Sequence, residues 1–297
     1  MRPSTRLREM LIQPEIIVLP GAYDALSARL AQQVGFGAVF TTGFGFAASA
    51  LGVPDLGLMT MSEIMERARN IVRAVDIPVV ADMDTGYGNP LNVIRTVQEC
   101  VALGAGGIIL EDQEWPKKCG HFEGKRVIAA EEQVAKLRAA VYARGDDDLV
   151  IIGRTDARAP LGLDEAIRRG KLYRDAGADV VFVEAPQSVA DLEKVAREIP
   201  DAPLFANMIE GGKTPLLKSE ELQALGYKMV VYPLSGLFAA AYAIRETYRE
   251  LLTQKTTAAF QGVMTPFHEF EEIVGAPRFH DLEERFRADD QRPTPPS

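Results

Sequence analysis

The chain has 297 residues, 47% of them hydrophobic, with 33 Lys and Arg against 42 Asp and Glu and a net charge of −9. That length suits one large domain or two small ones and can bury a core that needs no disulfides. The acidic balance excludes a general nucleic-acid binder, which needs a basic footprint, and no stretch approaches the roughly 18–20 apolar residues of a membrane span.

Two cysteines, Cys100 and Cys119, argue for a reducing compartment and against a disulfide scaffold. The first fourteen residues carry Arg2, Arg6 and Arg8 but no apolar signal core, so the expected location is the cytoplasm. Residues 5–12 read as a short amphipathic helix packed on the body.

Eight short β-branched or apolar runs follow in chain order, at residues 16–19, 38–42, 78–82, 107–111, 149–154, 180–184, 204–207 and 229–232. Nearly continuous apolar runs indicate strands buried on both faces, as in parallel sheets. Helical patterns separate them. Thr60-Met61-Ser62-Glu63 has the form of a capping box. Val93, Val97 and Val101 mark one helix face, and Val134, Leu137 and Val141 another. Gly35, Gly104, Gly177 and Gly226 each follow a helical pattern and precede a strand, where glycine can end a helix and turn the chain back.

Eight such units with no clear linker predict an α/β protein built as a (β/α)8 barrel. A doubly wound open sheet competes, but no G-x-G-x-x-G follows the first strand. The expected organisation is a barrel with its N-terminal helix over residues 1–253 and extra helices over 254–286. These would pack on the barrel or on a neighbouring subunit, and a disordered polar tail would occupy 287–297.

Polar residues gather at one end of the strands. Thr42 and Gly43, Asp82 and Asp84, Glu111, Arg154, Glu184 and Asn207 stand at C-terminal ends. The opposite ends, Ile77-Pro78, Gly106-Gly107 and Ala202-Pro203, are bland. Barrel active sites form at the C-terminal rim; any one of these residues, taken alone, could instead seal the barrel mouth.

Asp82, Asp84 and Glu111 are hard oxygen donors suited to Mg2+ or Mn2+, or else Asp82 and Asp84 pair with Arg154. Zinc would want more histidine than His121, His268 and His280 provide. Arg154 and Asn207 can grip a carboxylate, and the turn Thr42-Gly43-Phe44 can offer amides to a second anionic group. None of the eight ends supplies a Schiff-base lysine.

The loop over 111–125 is long, polar and glycine-punctuated, the character of a lid. Lys117, Lys118 and His121 flank Cys119, and nearby positive charge is expected to lower its thiol pKa. Cys100, on a helix, reads as a packing residue. Phe44, Phe46, Trp115 and Leu234 are expected to line the pocket for a substrate side chain.

Lys-Lys-Cys-Gly-His at 117–121, preceded by Glu111-Asp112-Gln113, resembles the signature of the isocitrate lyase/phosphoenolpyruvate mutase superfamily. The likeness continues in order through Leu51-Gly-Val-Pro-Asp-Leu-Gly57, Asp82-Met-Asp-Thr-Gly-Tyr-Gly88, Arg154-Thr-Asp156, Val183-Glu-Ala-Pro186, Asn207-Met-Ile-Glu-Gly-Gly-Lys-Thr-Pro215 and Tyr232-Pro-Leu-Ser235. It covers roughly residues 16 to 250.

The resemblance implies a (β/α)8 barrel whose eighth helix swaps between subunits in a dimer of dimers, a homotetramer. It places Mg2+ on Asp82 and Asp84, with Glu111 acting through water. It places substrate carboxylates on Thr42, Gly43, Arg154 and Asn207, with Phe44, Gly120 and Pro233 alongside. Cys119 becomes the proton donor on a mobile lid, Asp55 sits near the site, and Glu184 orients water or substrate. Lys117 and His121 join the catalytic set.

The cysteine-bearing loop resembles that of the carbon–carbon lyases. Cleaving a 2-hydroxy dicarboxylate between C2 and C3 yields a 2-oxo acid and a carbanion that needs a proton donor. Glu184, Asp55 or a hydroxide on the metal could take the hydroxyl proton. Glu210-Gly-Gly-Lys213 looks closest to the 2,3-dimethylmalate lyase and petal death protein branch, near the methylisocitrate lyases. Oxaloacetate hydrolases tend to carry Ser where this chain has Pro233. That activity and carboxyphosphonoenolpyruvate phosphonomutase are the alternatives, and a non-catalytic metabolite-sensing barrel is the reading outside enzymes.

Overall fold

Eight strands form the centre of the computed structural model, which describes residues 1–287. They are β1 Ile17–Ala22, β2 Val39–Thr41, β3 Val79–Asp82, β4 Gly107–Glu111, β5 Val150–Thr155, β6 Val180–Val183, β7 Leu204–Asn207 and β8 Met229–Tyr232. All pair in parallel, each with its sequence neighbour, and β1 closes on β8 through Ile17↔Met229 to Pro20↔Tyr232. The fold is therefore the (β/α)8 barrel that the eight apolar runs predict, and the open-sheet alternative is ruled out.

Alternation along each strand divides the core into layers. Leu19, Phe40, Val80, Ile109, Ile152, Phe182, Phe205 and Val231 fill the barrel interior. Their neighbours Val79, Ala81, Ile108, Leu110 and Ile151 point outward and pack with the helices. The N-terminal helix runs Pro3–Ile12 and is fastened by Arg8, whose Nη1 stands 3.0 Å from Asp179 Oδ1. Its Leu7 is fully buried with the interior residues and closes the barrel floor.

Local signals in the sequence act as expected. Thr60 and Glu63 form the capping box of helix Met61–Ala74. Gly104 ends helix Pro90–Leu103 at φ 82°, and the other three named glycines also take positive φ. Val93 and Val97 are fully buried on their helix face, as is Leu137 on the next.

The chain divides into two compact units, Met1–Tyr242 and one beginning at Ala243. The division falls within the long helix Ser235–Gln254. The second unit continues through the 3-10 turn Ala258–Val263 and helices Phe267–Val274 and Ala276–Arg285. The tail expected over 287–297 lies, beyond Arg287, outside the described residues. Among the described residues no helix is long and apolar enough to cross a membrane.

Candidate active site

The polar strand ends converge on one cavity at the C-terminal mouth of the barrel. Thr42, Phe44, Asp55, Asp82, Lys117, Cys119, Gly120, Arg154, Glu184, Asn207 and Pro233 all line it. Each of them was expected at the site from sequence. Gly43, Asp84 and Glu111 sit immediately behind the lining, and His121 faces an adjoining cleft shared with Phe44 and Cys119.

The acidic cluster centres on Lys117. Its Nζ stands 2.7 Å from both Asp55 Oδ1 and Asp84 Oδ1. Gly43 leaves room for this group: a Cβ there would lie 3.2 Å from Asp82 Oδ2 and 3.5 Å from Asp84 Oδ1 and Lys117 Nζ. The amide of Gly43 donates to Asp82 Oδ2 at 3.3 Å. It therefore serves the Asp82 carboxylate, where the sequence reading had the turn offering amides to a second anionic group.

Burial pushes Asp84 up to about 6, against the pull of Lys117. Burial also raises Glu111 well above the carboxylate range, although Arg154 opposes it. Glu111 Oε1 is a buried oxygen without a hydrogen-bond partner, and Asp84 Oδ1 is buried with the Lys117 ammonium beside it. Asp84 is also held at φ 47°, and Ala185, beside Glu184, at φ 55°. Left-handed backbone in non-glycine residues costs roughly 1 kcal/mol or more and gathers at functional sites.

Arg154 pairs elsewhere than with Asp82 or Asp84. Its Nε and Nη2 grip Asp156 at 2.8 and 3.1 Å, and Nη2 stands 3.3 Å from Glu111. The guanidinium also lies 5.1 Å over the Phe182 ring. Asn207 Nδ2 donates to Glu184 Oε1 at 3.1 Å, while its Oδ1 is buried without a partner. Burial works against the charge on Glu184, but Arg154 and His121 hold its carboxyl below the usual range. His121 accepts from the Lys213 amide through Nδ1 at 2.8 Å, which leaves the proton of the neutral ring on Nε2, 3.0 Å from Glu184 Oε1.

The 111–125 loop is closed over the site. The Cys119 amide donates to the Asp55 carbonyl at 3.1 Å, and Gln113 brackets Lys118 with two hydrogen bonds. Gly120 packs so tightly that a Cβ would stand 2.4 Å from Glu184 Oε1 and 2.6 Å from Arg154 Nη2.

Two expectations fail here. Cys119 is buried, and burial pushes its thiol up to about 11 in place of the expected depression. The cations beside it in sequence are engaged elsewhere: Lys117 with carboxylates, Lys118 with the carbonyls of Glu123 and Gly124, and His121 with Glu184. Phe46 and Trp115 also miss the pocket. Phe46 turns into the outer core, and Trp115 stacks edge-on with Tyr87 in a separate cleft. Phe44 and Leu234 do line the cavity, joined by Ile209, Phe182 and Val231.

The residues that sequence reading passed over lie beneath the rim. Asp112 accepts from Thr155 Oγ1, Asp156 N, Arg169 Nη1 and Tyr173 OH at 2.6–2.9 Å. Lys125 donates to Asp156 Oδ1 at 2.9 Å and to the Gly120 carbonyl. Their one sequence signal is position: charges flanking strand ends that are otherwise apolar.

Mg2+ is the metal that the donor set suits. Among the described residues no three His, Cys, Asp or Glu side chains form a ready metal cage. Mg2+ does not need one, since it binds through one or two carboxylates and fills its remaining positions with water and substrate oxygens. Carboxylates converging at Gly43, with a buried Glu111 Oε1 that has no partner and an Asp84 carboxylate balanced at present by the Lys117 ammonium, meet that requirement.

Known proteins place this arrangement. Residues 7–252 match the family described as phosphoenolpyruvate phosphomutase. The chain is 44% identical to 2,3-dimethylmalate lyase of Eubacterium barkeri, covering 96% of this chain and 99% of that protein. It is 43% identical to 2-methylisocitrate lyase of Bacillus subtilis (strain 168), covering 82% and 79%. An oxaloacetate acetylhydrolase solved with the inhibitor 3,3-difluorooxalacetate superposes with a TM-score of 0.91 at 36% identity, covering 96% of this chain and 98% of that one. A phosphonopyruvate hydrolase solved with oxalate and Mg++ does so with a TM-score of 0.87 at 32% identity, covering 96% and 99%. The chain thus belongs to the phosphoenolpyruvate phosphomutase family and is an enzyme of the isocitrate lyase/phosphoenolpyruvate mutase superfamily.

Proposed function

We propose that the chain is a Mg2+-dependent carbon–carbon lyase. It cleaves a 2-hydroxy dicarboxylate of the 2,3-dimethylmalate or 2-methylisocitrate type to a 2-oxo acid such as pyruvate and a carboxylate. The observation that carries this reading is Cys119, a buried thiol lining the same closed cavity as Arg154, Asn207, Glu184 and Asp82.

Each residue has a role that its surroundings support. Arg154 and Asn207 hold a substrate carboxylate, with Thr42, Gly120 and Pro233 shaping the space around it. Asp82 and Asp84 would hold Mg2+, with Glu111 through water; when bound, the ion supplies Lewis-acid stabilisation of oxyanion charge. Mn2+ has the same ligand preferences and can replace it.

Glu184, held ionised, is the base for the C2 hydroxyl, because Asp55 is already committed to Lys117. Cys119, its thiol pushed up to about 11 by burial, is protonated at neutral pH and so carries the proton that the carbanion needs. Lys117 holds Asp55 and Asp84 in place, and His121 supports Glu184.

Phe44, Ile209, Val231, Pro233 and Leu234 give the cavity an apolar lining beside Arg154. This apolar lining suits the alkyl group of a substituted malate. The test is 2-oxo acid release from a panel of C2- and C3-substituted malates beside methylisocitrate. Release is expected from an alkylmalate, is lost with EDTA and returns with Mg2+ or Mn2+. Silence across the panel, with a phosphorus NMR change on a phosphoenolpyruvate-type substrate, would overturn the lyase in favour of the phosphonomutase.

The reading includes assembly into a homotetramer, a dimer of helix-swapped dimers. Tyr248, Leu251 and Leu252 on helix Ser235–Gln254 are exposed apolar groups that suit a covered face. Light scattering behind size exclusion is expected to give four times the 32.5 kDa chain mass; a monomer mass would remove this part.

A further inference from the structure

We propose that Lys125 is a positioning residue that ties closure of the Cys119 segment to the anion grip of Arg154, through the carboxylate of Asp156 that both share. Lys125 stands on the same loop as Cys119 but reaches below it, and its side chain is 1% exposed. Its ammonium donates upward to the Gly120 carbonyl and downward to Asp156 Oδ1. The same Oδ1 accepts from Arg154 Nη2, and Oδ2 accepts from Arg154 Nε. One carboxylate therefore sets both the direction of the guanidinium and the height of the loop.

Asp156 cannot drift to satisfy one partner at the other's expense. Its amide donates to Asp112 Oδ1 at 2.8 Å, and Asp112 is fixed in turn by Thr155, Arg169 and Tyr173. Gly120 is held twice, by Lys125 at its carbonyl and by the close approach of Glu184 and Arg154 at its Cα. An opening of residues 119–124 must lift Gly120 off Lys125, five positions along the same loop, while Lys125 stays bound to Asp156. Opening thus leaves a buried ammonium short of an acceptor, a cost that favours the closed loop. A carboxylate on Arg154 that steadies its fork on Asp156 also steadies Lys125, and with it the closed position of Cys119.

The inference rests on the proposed lyase reading only for its kinetic consequence. The main test reads loop closure without turnover. Iodoacetamide labelling of each thiol is followed by mass spectrometry, with and without oxalate and Mg2+. Cys100, fully buried in the outer core, reports unfolding.

In the wild type, labelling of Cys119 is expected to be slow and slower still with oxalate. In Lys125→Met, Cys119 is expected to label on the order of ten-fold faster, as local opening frees it. Oxalate should no longer protect, and Cys100 should stay silent. Should Lys125→Met also expose Cys100, Lys125→Gln takes its place under the same criteria, since it keeps a donor without the charge.

Unchanged labelling and intact oxalate protection in a folded variant would overturn the proposal. With an alkylmalate substrate, kcat is expected to fall about 100-fold and KM to move only a few-fold, the mark of a group acting after binding. Equal losses through KM alone would also overturn it. If no malate turns over in the wild type, the lyase reading fails while the labelling result still decides the role of Lys125.

Discussion

Cys119→Ser is expected to abolish 2-oxo acid release, by about 10²–10⁴-fold for loss of a positioned acid, while Mg2+ and oxalate still bind. The substitution replaces sulfur with oxygen in a closed, buried position, so the cavity keeps its shape. What changes is acidity. The thiol, pushed up to about 11 by burial, is protonated at neutral pH yet still a far better acid than an alcohol. A depressed pKa, which the neighbouring lysines suggest in sequence, would leave a thiolate with no proton to give. Burial therefore suits the donor role better than the expected activation does. The check pairs turnover with isothermal titration of Mg2+ and oxalate. Full turnover would remove the donor role, and loss of metal binding would show that the serine had disturbed the carboxylates.

The barrel was legible because parallel strands buried on both faces leave unbroken apolar runs. Gly107–Glu111, Leu204–Asn207 and Met229–Tyr232 have the very bounds that their runs suggest. The rim was legible for a related reason: a charge interrupting such a run, as at Asp82, Glu111 or Arg154, has few structural uses. Side-chain direction was not legible. Sequence proximity put Lys117 and Lys118 beside Cys119, but a carboxylate pair draws Lys117 across to Asp55 and Asp84. Phe46 follows Phe44 by two positions, and the short helical turn Gly43–Phe46 aims the two rings apart. The Asp112–Asp156–Lys125 network was hidden because Asp156 follows β5 while Asp112 and Lys125 stand at opposite ends of the loop after β4, and only the pairing of β4 with β5 and the folding of that loop bring them together.

Arg154→Met is expected to cost about 3–5 kcal/mol of stability at neutral pH, the range for removing one partner from a buried charge pair, and to remove anion binding as well. Methionine fills much of the volume, so the loss is electrostatic. Arg154 serves Asp156, Glu111 and Glu184 at once, all of them buried. Without it Lys125 is the cation left on Asp156, and Glu111 and Glu184 keep none in direct contact apart from His121 when that ring is protonated.

The pH dependence follows with a definite sign. In the wild type, burial opposes the charge on Asp156, but Arg154 and Lys125 outweigh it and hold the carboxyl well below its usual range. That contribution is present above the unfolded value of about 4 and is lost as the pH falls through the folded one. In the variant, burial prevails at Glu184 too, so its folded carboxyl lies above its unfolded value, and Glu111, already raised by burial in the wild type, rises further. The contribution of these two carboxyls is then fully present below about pH 4 and declines as the pH rises through the raised values. The gap between wild type and Arg154→Met in urea midpoints should therefore widen from pH 4 to pH 8. A gap that stays constant over this range would mean that the guanidinium acts by packing on Phe182 and not by balancing the three carboxylates.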